Sequence, residues 1–206
     1  IPTVGVVRND PQKGTYDIAW PMGVIVALTP STNPTSTAIF KTLIAVKARN
    51  AIVIAPHPSA IKCTTETMRI MAEAGERAGM QKGLISNMTR ISLPGTQELM
   101  RHKYVALILA TGGSDMVRAA HSVGKPAYGV GPGNVPVYVD RSADIQRAAK
   151  YIVASKAFDH SVICATEQAV VADRPISAQL EELMKAEGAY FANEEQSSIL
   201  AKNLFV

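Results

Sequence analysis

Two kinds of hydrophobic pattern alternate along the chain. Short, nearly continuous apolar runs, such as "YVALILA" at 104–110, are typical of strands that are buried on both faces of a parallel sheet. In the longer segments between them, apolar residues recur every third or fourth position, which is typical of helices that cover such a sheet. The predicted strands are 22–28, 51–55, 88–92, 104–110, 135–139 and 167–173.

The helical segments are indicated by apolar residues that share one face and by capping residues. In the first, Ile39, Leu43 and Val46 are spaced to share one face, which we expect to be buried. Either Ser142 or Asp140 is expected to cap a later helix that begins at 143. The predicted helices are 36–49, 59–78, one that opens at 94, 114–123, 143–157, 175–187 and 195–203.

Strands separated by helices predict βαβ units, in which right-handed crossovers join parallel strands. We therefore expect an α/β fold with a doubly wound, mostly parallel sheet. The alternation changes after Phe158, so we place a domain boundary there, between a first domain at 1–158 and the start of a second α/β domain at 159–206. The sequence has no initiator Met and begins within the pattern, so we expect a piece of a longer protein that lacks the N-terminal part of the first domain.

Composition excludes several classes of function. The chain has 206 residues, 47% hydrophobic, which is enough to build a substantial core. The net charge of +4 is scattered and aromatic residues are only 5%, so we expect no nucleic-acid partner. Apolar runs are too short to span a bilayer and no signal peptide is present, so no membrane partner is expected either. Two cysteines make a poor disulfide framework, which favours the cytoplasm, and no CxxC or HxxxH spacing predicts a metal site.

Three loops that follow predicted strands, and a fourth that lies between strands, are rich in Gly, Pro, Ser, Thr or Asn. In doubly wound sheets, ligands bind at the carboxyl ends of strands, and small residues let backbone N–H groups approach a phosphate. The alternative is that these residues only form tight turns. No G-x-G-x-x-G lies between a strand and a helix, so a bound dinucleotide must be held in another way. The loops are "TPSTNPT" after 28, "PHPS" after 55, "TGGSD" after 110 and "GVGPGN" at 129–134.

One cysteine, Cys164, lies in "KAFDHSVICATEQ", which neither a plain helix nor a plain strand explains. It is either an accessible thiol nucleophile or a buried, inert cysteine. The other, Cys63, falls within a predicted helix and is expected to pack as an ordinary core residue. Among the histidines, His57 lies in a strand-end loop where it faces a ligand, whereas His160 has no spacing to Cys164 that would make it a base.

Several of these segments together resemble one family. "TPSTNPTSTAIFK", "KARNAIVIAPHPSA", "LILATGGSDMVRAAHSVGKPAYGVGPGN" and "FDHSVICATEQ" are similar to motifs of the CoA-acylating aldehyde dehydrogenases, in the same order and over essentially the whole chain. The likeness is greatest to the branch of the bifunctional aldehyde–alcohol dehydrogenases and the acylating sulfoacetaldehyde and succinate-semialdehyde enzymes. It implies a Rossmann-like NAD-binding domain at 1–158 and the beginning of the catalytic domain at 159–206.

The resemblance also implies roles for individual residues. Cys164 matches the nucleophile of an "ICASEQ"-like motif, in which Thr166 here replaces the usual Ser. Asn33 matches the oxyanion-hole side chain, which works with the backbone N–H of Cys164. His57 stands where hydrolytic relatives carry a lysine that reaches the adenosine ribose. The implied NAD-binding residues are Leu28, Thr29, Pro30, Ser31, Thr32, Asn33, His57, Thr111, Gly112, Gly113 and Gly131.

One departure from the hydrolytic relatives bears on the product. Those enzymes have a glutamate that activates water, but the matching segment "YGVGPGN" at 128–134 has no carboxylate. Water needs a base to attack a thioester, whereas the thiol of CoA has a far lower pKa. We therefore expect an NAD-dependent enzyme that oxidises an aldehyde, transfers the acyl group to CoA and forms a homo-oligomer at full length. The alternatives are a hydrolytic aldehyde dehydrogenase and an inactive dinucleotide-binding fragment.

Overall fold

The structure is a computed structural model that describes residues 2–204. It divides into two compact units, Ile1–Pro132 and Gly133–Val206. This division in packing comes earlier in the chain than Phe158, where the alternation of the sequence changes. The boundary predicted at 158, between a first domain and the start of a second, stays a prediction.

The first unit contains a hairpin and a five-stranded sheet with the order β5-β4-β3-β6-β7. All neighbouring strands of the five are parallel. The hairpin strands are β1 (Gly5–Asp10) and β2 (Thr15–Ala19). The sheet strands are β3 (Val24–Leu28), β4 (Ala51–Ala55), β5 (Ile85–Asn87), β6 (Val105–Thr111) and β7 (Ala127–Val130). The helices are α1 (Pro34–Lys47), α2 (Ile61–Arg77), α3 (Leu93–Arg101) and α4 (Ser114–His121).

The central strand β3 separates two halves of the sheet. The chain leaves β3 toward β4 and β5 on one side, then returns to pair β6 with β3 on the other. The strand order reverses between β3 and β6, which is the point where doubly wound sheets bind ligands. The predicted α/β fold with a doubly wound, mostly parallel sheet is confirmed.

Both faces of the sheet are buried, as the continuous apolar runs predict. On one face Ile25, Ile54 and Met68 belong to a cluster that α1 and α2 cover, and on the other Val26 and Ile108 belong to a cluster with residues of α3 and α4. Side chains of successive strand residues point to opposite faces. Successive residues of β3 therefore belong to the two clusters in turn.

The buried face of α1 is not the predicted one. Ile39 and Leu43, which we expected to be buried, are 39% and 56% exposed. Smaller and polar residues let the helix lie close to the sheet, so the largest side chains of the helix do not mark its packed face. The buried residues are Thr37, Ala38, Lys41, Thr42 and Ala45.

Four strands differ from the prediction: one is displaced, and three were not predicted as strands. The strand predicted at 88–92 is β5, which lies earlier, and Ile85 is its buried residue. Strand β7 occupies part of the segment that we assigned to a loop at 129–134. The hairpin β1–β2 was not predicted, because its side chains are mostly exposed and its pairing contains an irregularity between Val6 and Arg8.

The second unit pairs two parallel strands and packs helices on them. Its core consists of Val139, Ala149, Ile152 and Leu180. Asp144 caps the first helix by accepting a hydrogen bond from the Arg147 N–H at 3.0 Å, so the cap predicted at Ser142 or Asp140 is wrong. Within residues 2–204, no helix combines the length and apolar character that crossing a bilayer requires. The elements are β8 (Pro136–Val139), α5 (Ile145–Ala157), β9 (Ala169–Ala172), α6 (Arg174–Ala186) and α7 (Glu194–Leu204).

Candidate functional site

A cavity of about 180 Å³ opens at the carboxyl edge of the sheet, where the loops after β3, β4 and β6 meet. Seven predicted NAD contacts line this cavity: Leu28, Thr29, Pro30, His57, Thr111, Gly112 and Gly113. Four others, all in the described chain, do not line it: Ser31, Thr32, Asn33 and Gly131. The cavity lies at the switch point of the sheet, and the structure therefore brings together three of the four loops that the sequence singled out.

Residues before α3 and in its first turn also line the cavity, and the sequence prediction missed them. They are Ile91, Ser92, Leu93 and Thr96. A signal was present, since Ser92 lies two residues before Pro94 and its Oγ accepts a hydrogen bond from the Gly95 N–H at 3.1 Å, as helix caps do. Assigning 88–92 to a strand concealed that cap.

Thr29 contributes a polar atom that no protein group satisfies. Its side chain is 4% exposed, and among the described residues its Oγ1 has no hydrogen-bond partner. Its backbone N–H donates to the Ala55 carbonyl at 3.2 Å, which holds the loop against the end of β4. A buried hydroxyl without a partner costs about 1–3 kcal/mol, so Thr29 carries a local cost in stability.

The start of α4 leaves open space beside its backbone. Gly113 is the N-cap of this helix, and a Cβ placed there meets no atom within 4 Å. The Gly112 N–H donates to the Val130 carbonyl at 3.1 Å, which ties the loop to β7. The N–H groups of the first turn of a helix attract anions. This end of the cavity therefore offers open space beside backbone N–H groups that favour an anion.

His57 is held by its own turn. Its Nδ1 lies 2.7 Å from the Ser59 Oγ and accepts a hydrogen bond from the Ser59 N–H at 3.3 Å. The imidazole therefore caps the short 3₁₀ turn Pro58–Ala60 as it lines the cavity. Its predicted contact with a ribose stays a prediction.

A buried lysine lies under the loops. Lys41 is 5% exposed, and its Nζ donates to the carbonyls of Leu28 at 2.7 Å and Leu109 at 2.8 Å. These carbonyls belong to the ends of β3 and β6, so Lys41 joins the two strands that flank the switch point. Burial lowers the pKa of Lys41 to about 7. The burial of Lys41 was not predicted, because a lysine on a surface helix is usually solvated.

Asn33 is the N-cap of α1, but its side chain does not cap the helix. Its Oδ1 accepts a hydrogen bond from the Thr32 Oγ1 at 3.1 Å, and its carbonyl accepts one from the Thr37 N–H at 3.2 Å. No hydrogen bond of its Nδ2 occurs within residues 2–204. The amide therefore has its donor atoms available, as the predicted oxyanion role requires.

Cys164 lies in the second unit on a turn between α5 and β9, and its side chain is exposed. Just before it, Asp159, His160 and Ser161 have φ of 49°, 50° and 63°, a conformation that non-glycine residues rarely adopt. The thiol is accessible, so the alternative of a buried cysteine is wrong, and its role as a nucleophile stays a prediction. Asn33 belongs to the other unit, so its pairing with Cys164 stays a prediction.

Cys63 is exposed as well, and its predicted place in the core is wrong. Helix α2 buries Thr64 and Met68 instead, which lie on the face that meets the sheet. The Cys63 Sγ lies 3.2 Å from the Ala60 carbonyl and donates to it. The two cysteines thus differ in local structure, one on a regular helix and one on an irregular turn.

A profile of the aldehyde dehydrogenase family matches residues 3–192. Aldehyde-alcohol dehydrogenase 2 of Entamoeba histolytica is 49% identical over 203 residues, which are 98% of this chain and 23% of that protein. An acetylating aldehyde dehydrogenase from Geobacillus thermoglucosidasius superposes with a TM-score of 0.90 at 55% identity, covering 99% of this chain and 45% of that one.

A structure of Rhodopseudomonas palustris propionaldehyde dehydrogenase with bound CoA and an acylated cysteine is also similar. It gives a TM-score of 0.81 at 34% identity and covers 90% of this chain and 42% of that one. The chain thus spans less than half the length of each of these relatives. Because the family profile covers nearly all of the described residues and the solved structures share the fold at high identity, the chain belongs to the aldehyde dehydrogenase family.

Proposed function

We propose that this chain is part of an NAD-dependent, CoA-acylating aldehyde dehydrogenase, with Cys164 as its nucleophile. The observation that carries the proposal is the exposed Cys164 thiol on an irregular turn, in a family that includes a structure with an acylated cysteine and bound CoA. Exposure is what a nucleophilic thiol requires.

The reaction begins when the Cys164 Sγ, as a thiolate, forms a bond to the aldehyde carbon. The carbonyl oxygen becomes an oxyanion, which the Asn33 amide and the Cys164 backbone N–H stabilise by donating hydrogen bonds. When the C–H bond breaks, its electron pair leaves as hydride and the carbonyl re-forms as a thioester on Cys164. The CoA thiolate then attacks this thioester, and the Cys164 Sγ leaves. In sum, an aldehyde, NAD⁺ and CoA give acyl-CoA, NADH and one proton.

When NAD is bound, its nicotinamide ring would serve as the hydride acceptor. The residues that would hold NAD are those that line the cavity at the sheet edge. Thr29 lines the cavity, the Gly113 N-cap leaves space for a phosphate, and His57 lies where a ribose contact is expected. NAD is preferred to NADP because no arginine lines the cavity to bind a 2′-phosphate.

Transfer to CoA rather than to water follows from a missing base. Strand β7 and the residues that follow it, up to Val135, contain no carboxylate that would activate a water molecule. A hydrolytic enzyme would need such a group. The thiol of CoA ionises far more readily than water, so the thioester reacts with CoA rather than with water.

Full-length assembly and location complete the proposal. The hairpin β1–β2 exposes apolar side chains, and Trp20 directly after it is 82% exposed. A two-stranded hairpin is marginally stable by itself, which supports the proposal of a homo-oligomer that covers it. Two exposed thiols without a disulfide support a reducing compartment such as the cytoplasm.

The decisive test compares two cysteine variants of the intact protein. Cys164→Ala is expected to abolish acyl-CoA formation and to leave NAD binding intact, because the thiol makes the covalent bond. Cys63→Ala removes the other exposed thiol and is expected to keep both. Acyl-CoA and free acid are measured per NADH formed. Unchanged acyl-CoA formation by Cys164→Ala would show that the proposal is wrong, and free acid as the main wild-type product would favour a hydrolytic enzyme.

A further inference from the structure

The turn that carries Cys164 contains one fully buried side chain, which we call its buried attachment. Across residues 158–168, all of which the structure describes, only Thr166 is buried, at 3% exposed. The other side chains are half-buried or exposed, including Cys164. Because the main chain before Thr166 runs through the left-handed residues 159–161, this attachment lies where the backbone is least regular.

Two donors of Thr166 converge on one oxygen. The Thr166 Oγ1 donates to the Ile163 carbonyl at 3.1 Å, and the Thr166 N–H donates to the same oxygen at 3.3 Å. The Ser161 Oγ lies 3.4 Å from the Thr166 Oγ1. A hydroxyl has only one hydrogen to donate, so Ser161 is the donor to Thr166. The three residues form a chain of hydrogen bonds that ends on the Ile163 carbonyl.

This carbonyl determines the direction of a second group. The Ile163 C=O and the Cys164 N–H belong to the same peptide unit, which is planar and trans, so they point in opposite directions. Because Thr166 donates two hydrogen bonds to this carbonyl, the Cys164 N–H is directed away from Thr166. In the described part of the chain, this N–H donates no hydrogen bond to another protein group.

We propose that Thr166 is a positioning residue which, through the Ile163 carbonyl, directs the Cys164 N–H at the carbonyl oxygen of the substrate. The inference rests on the proposed function, since an oxyanion forms there only if Cys164 adds to an aldehyde. Residues 159–161 strengthen the argument. A positive φ costs a non-glycine residue about 1–2 kcal/mol, so a turn without its buried attachment would relax to another conformation.

The experiment compares Thr166→Val with Thr166→Ser in the intact protein. Valine keeps the shape but removes the hydroxyl, and serine keeps the hydroxyl but removes the buried methyl group. We expect Thr166→Val to slow the single-turnover formation of NADH by about 10–100-fold, somewhat less than the loss of an oxyanion donor itself. The Kd for NAD is expected to stay unchanged, and Thr166→Ser is expected to stay close to wild type.

A second readout does not depend on turnover. Iodoacetamide alkylates both exposed thiols, and mass spectrometry of peptides measures the two rates in the same sample. Cys63, on the regular helix α2, is the internal control. The ratio of the Cys164 rate to the Cys63 rate is expected to change in Thr166→Val and to stay at the wild-type value in Thr166→Ser.

The outcomes separate this inference from the proposed function. A folded Thr166→Val with wild-type single-turnover rate overturns the role of Thr166, and so does a Thr166→Ser that is as slow as Thr166→Val, because the methyl group would then be what matters. If Thr166→Val does not fold, Ser161→Ala takes its place, with a smaller fall in the same rate expected and an unchanged rate as the contrary result. If Cys164→Ala keeps acyl-CoA formation, it is the proposed function that fails, and the oxyanion role fails with it.

Discussion

The cavity at the sheet edge and the turn that carries Cys164 are held in place by different means. The cavity loops begin at the ends of buried parallel strands, and hydrogen bonds from Thr29, Gly112 and Lys41 attach them to those ends. The Cys164 turn contains one buried side chain, Thr166, and a short chain of hydroxyl contacts that stays within the turn. The comparison suggests that the geometry of the cavity follows from the stability of the sheet, whereas the geometry of the thiol follows from a few local bonds.

The largest effect on stability should come from the strand core beneath the cavity. Ile108 is fully buried in β6, and Ile108→Ala should lower the free energy of unfolding by about 2–5 kcal/mol through lost burial and a residual cavity. Val162 in the Cys164 turn is 49% exposed, so Val162→Ala should change the free energy of unfolding by less than about 0.5 kcal/mol. Urea unfolding of both variants measures the contrast, and equal losses would contradict it.

The next effect concerns catalysis at the start of α1. Asn33→Ala should lower kcat by about 10²–10³-fold, the usual loss for one preorganised oxyanion donor, and should leave KM nearly unchanged. Because the Asn33 side chain does not cap the helix, stability should change little. Steady-state kinetics and thermal unfolding are the measurements. A change confined to KM would make Asn33 a residue that binds the ground state or forms the turn.

Lys41 predicts a pH dependence of stability. Its pKa is about 7 in the folded protein against 10.5 in the unfolded chain, so between these values the unfolded chain binds the extra proton. Stability should therefore rise with pH across this window, by at most about 1.4 kcal/mol per pH unit, and the contribution is least favourable below it. Lys41→Met should remove this rise in urea unfolding from pH 7 to 9.

The matched control is Lys47→Met, which changes an exposed lysine in the last turn of the same helix. It should keep the wild-type pH dependence. An equal slope in wild type and Lys41→Met would show that another group is responsible. Lys41→Met should also be destabilised at high pH, since two carbonyls lose their donor.

The smallest predicted effect is that of a substitution at Thr29, which should raise stability and weaken NAD binding. Thr29→Val removes a buried hydroxyl that lacks a partner among the described residues, so the free energy of unfolding should rise by about 1 kcal/mol. If that hydroxyl binds NAD, the Kd should rise by roughly fivefold, which is about 1 kcal/mol. Thr29→Ser keeps the hydroxyl and should bind like wild type. Unchanged NAD affinity in Thr29→Val would remove Thr29 from the site.

Elements were predicted correctly where the pattern of apolar residues directly reflects which side chains are buried. The runs that became β3, β4 and β6 were found because a strand buried on both faces has little choice but to be apolar. The packed face of α1 was predicted wrongly, since Ala38, Thr42 and Lys41 are less hydrophobic than Ile39 and Leu43 but lie against the sheet. Packing distance decided that face, and hydropathy does not measure distance.

The candidate site shows the same limit. The strand-end loops were identified because topology alone brings them to one edge, and most of the predicted contacts line one cavity. The loop before α3 was missed because its position depended on the end of β5, which the sequence placed three residues or more too late. The buried attachment at Thr166 was not predictable either, because it arises from hydrogen bonds within one irregular turn. The roles of Cys164 and Asn33 remain predictions.

The central position of β3 has a consequence for how the polypeptide is made. Its partner β6 begins at Val105 and is synthesised after α1, β4, α2, β5 and α3. At about 5–20 residues per second, the ribosome needs on the order of 4–15 s between the two strands. Throughout that interval one edge of an entirely apolar strand has no partner to pair with. The nascent chain therefore passes through a stage at which chaperone binding competes with aggregation, and this stage ends only when β6 has emerged.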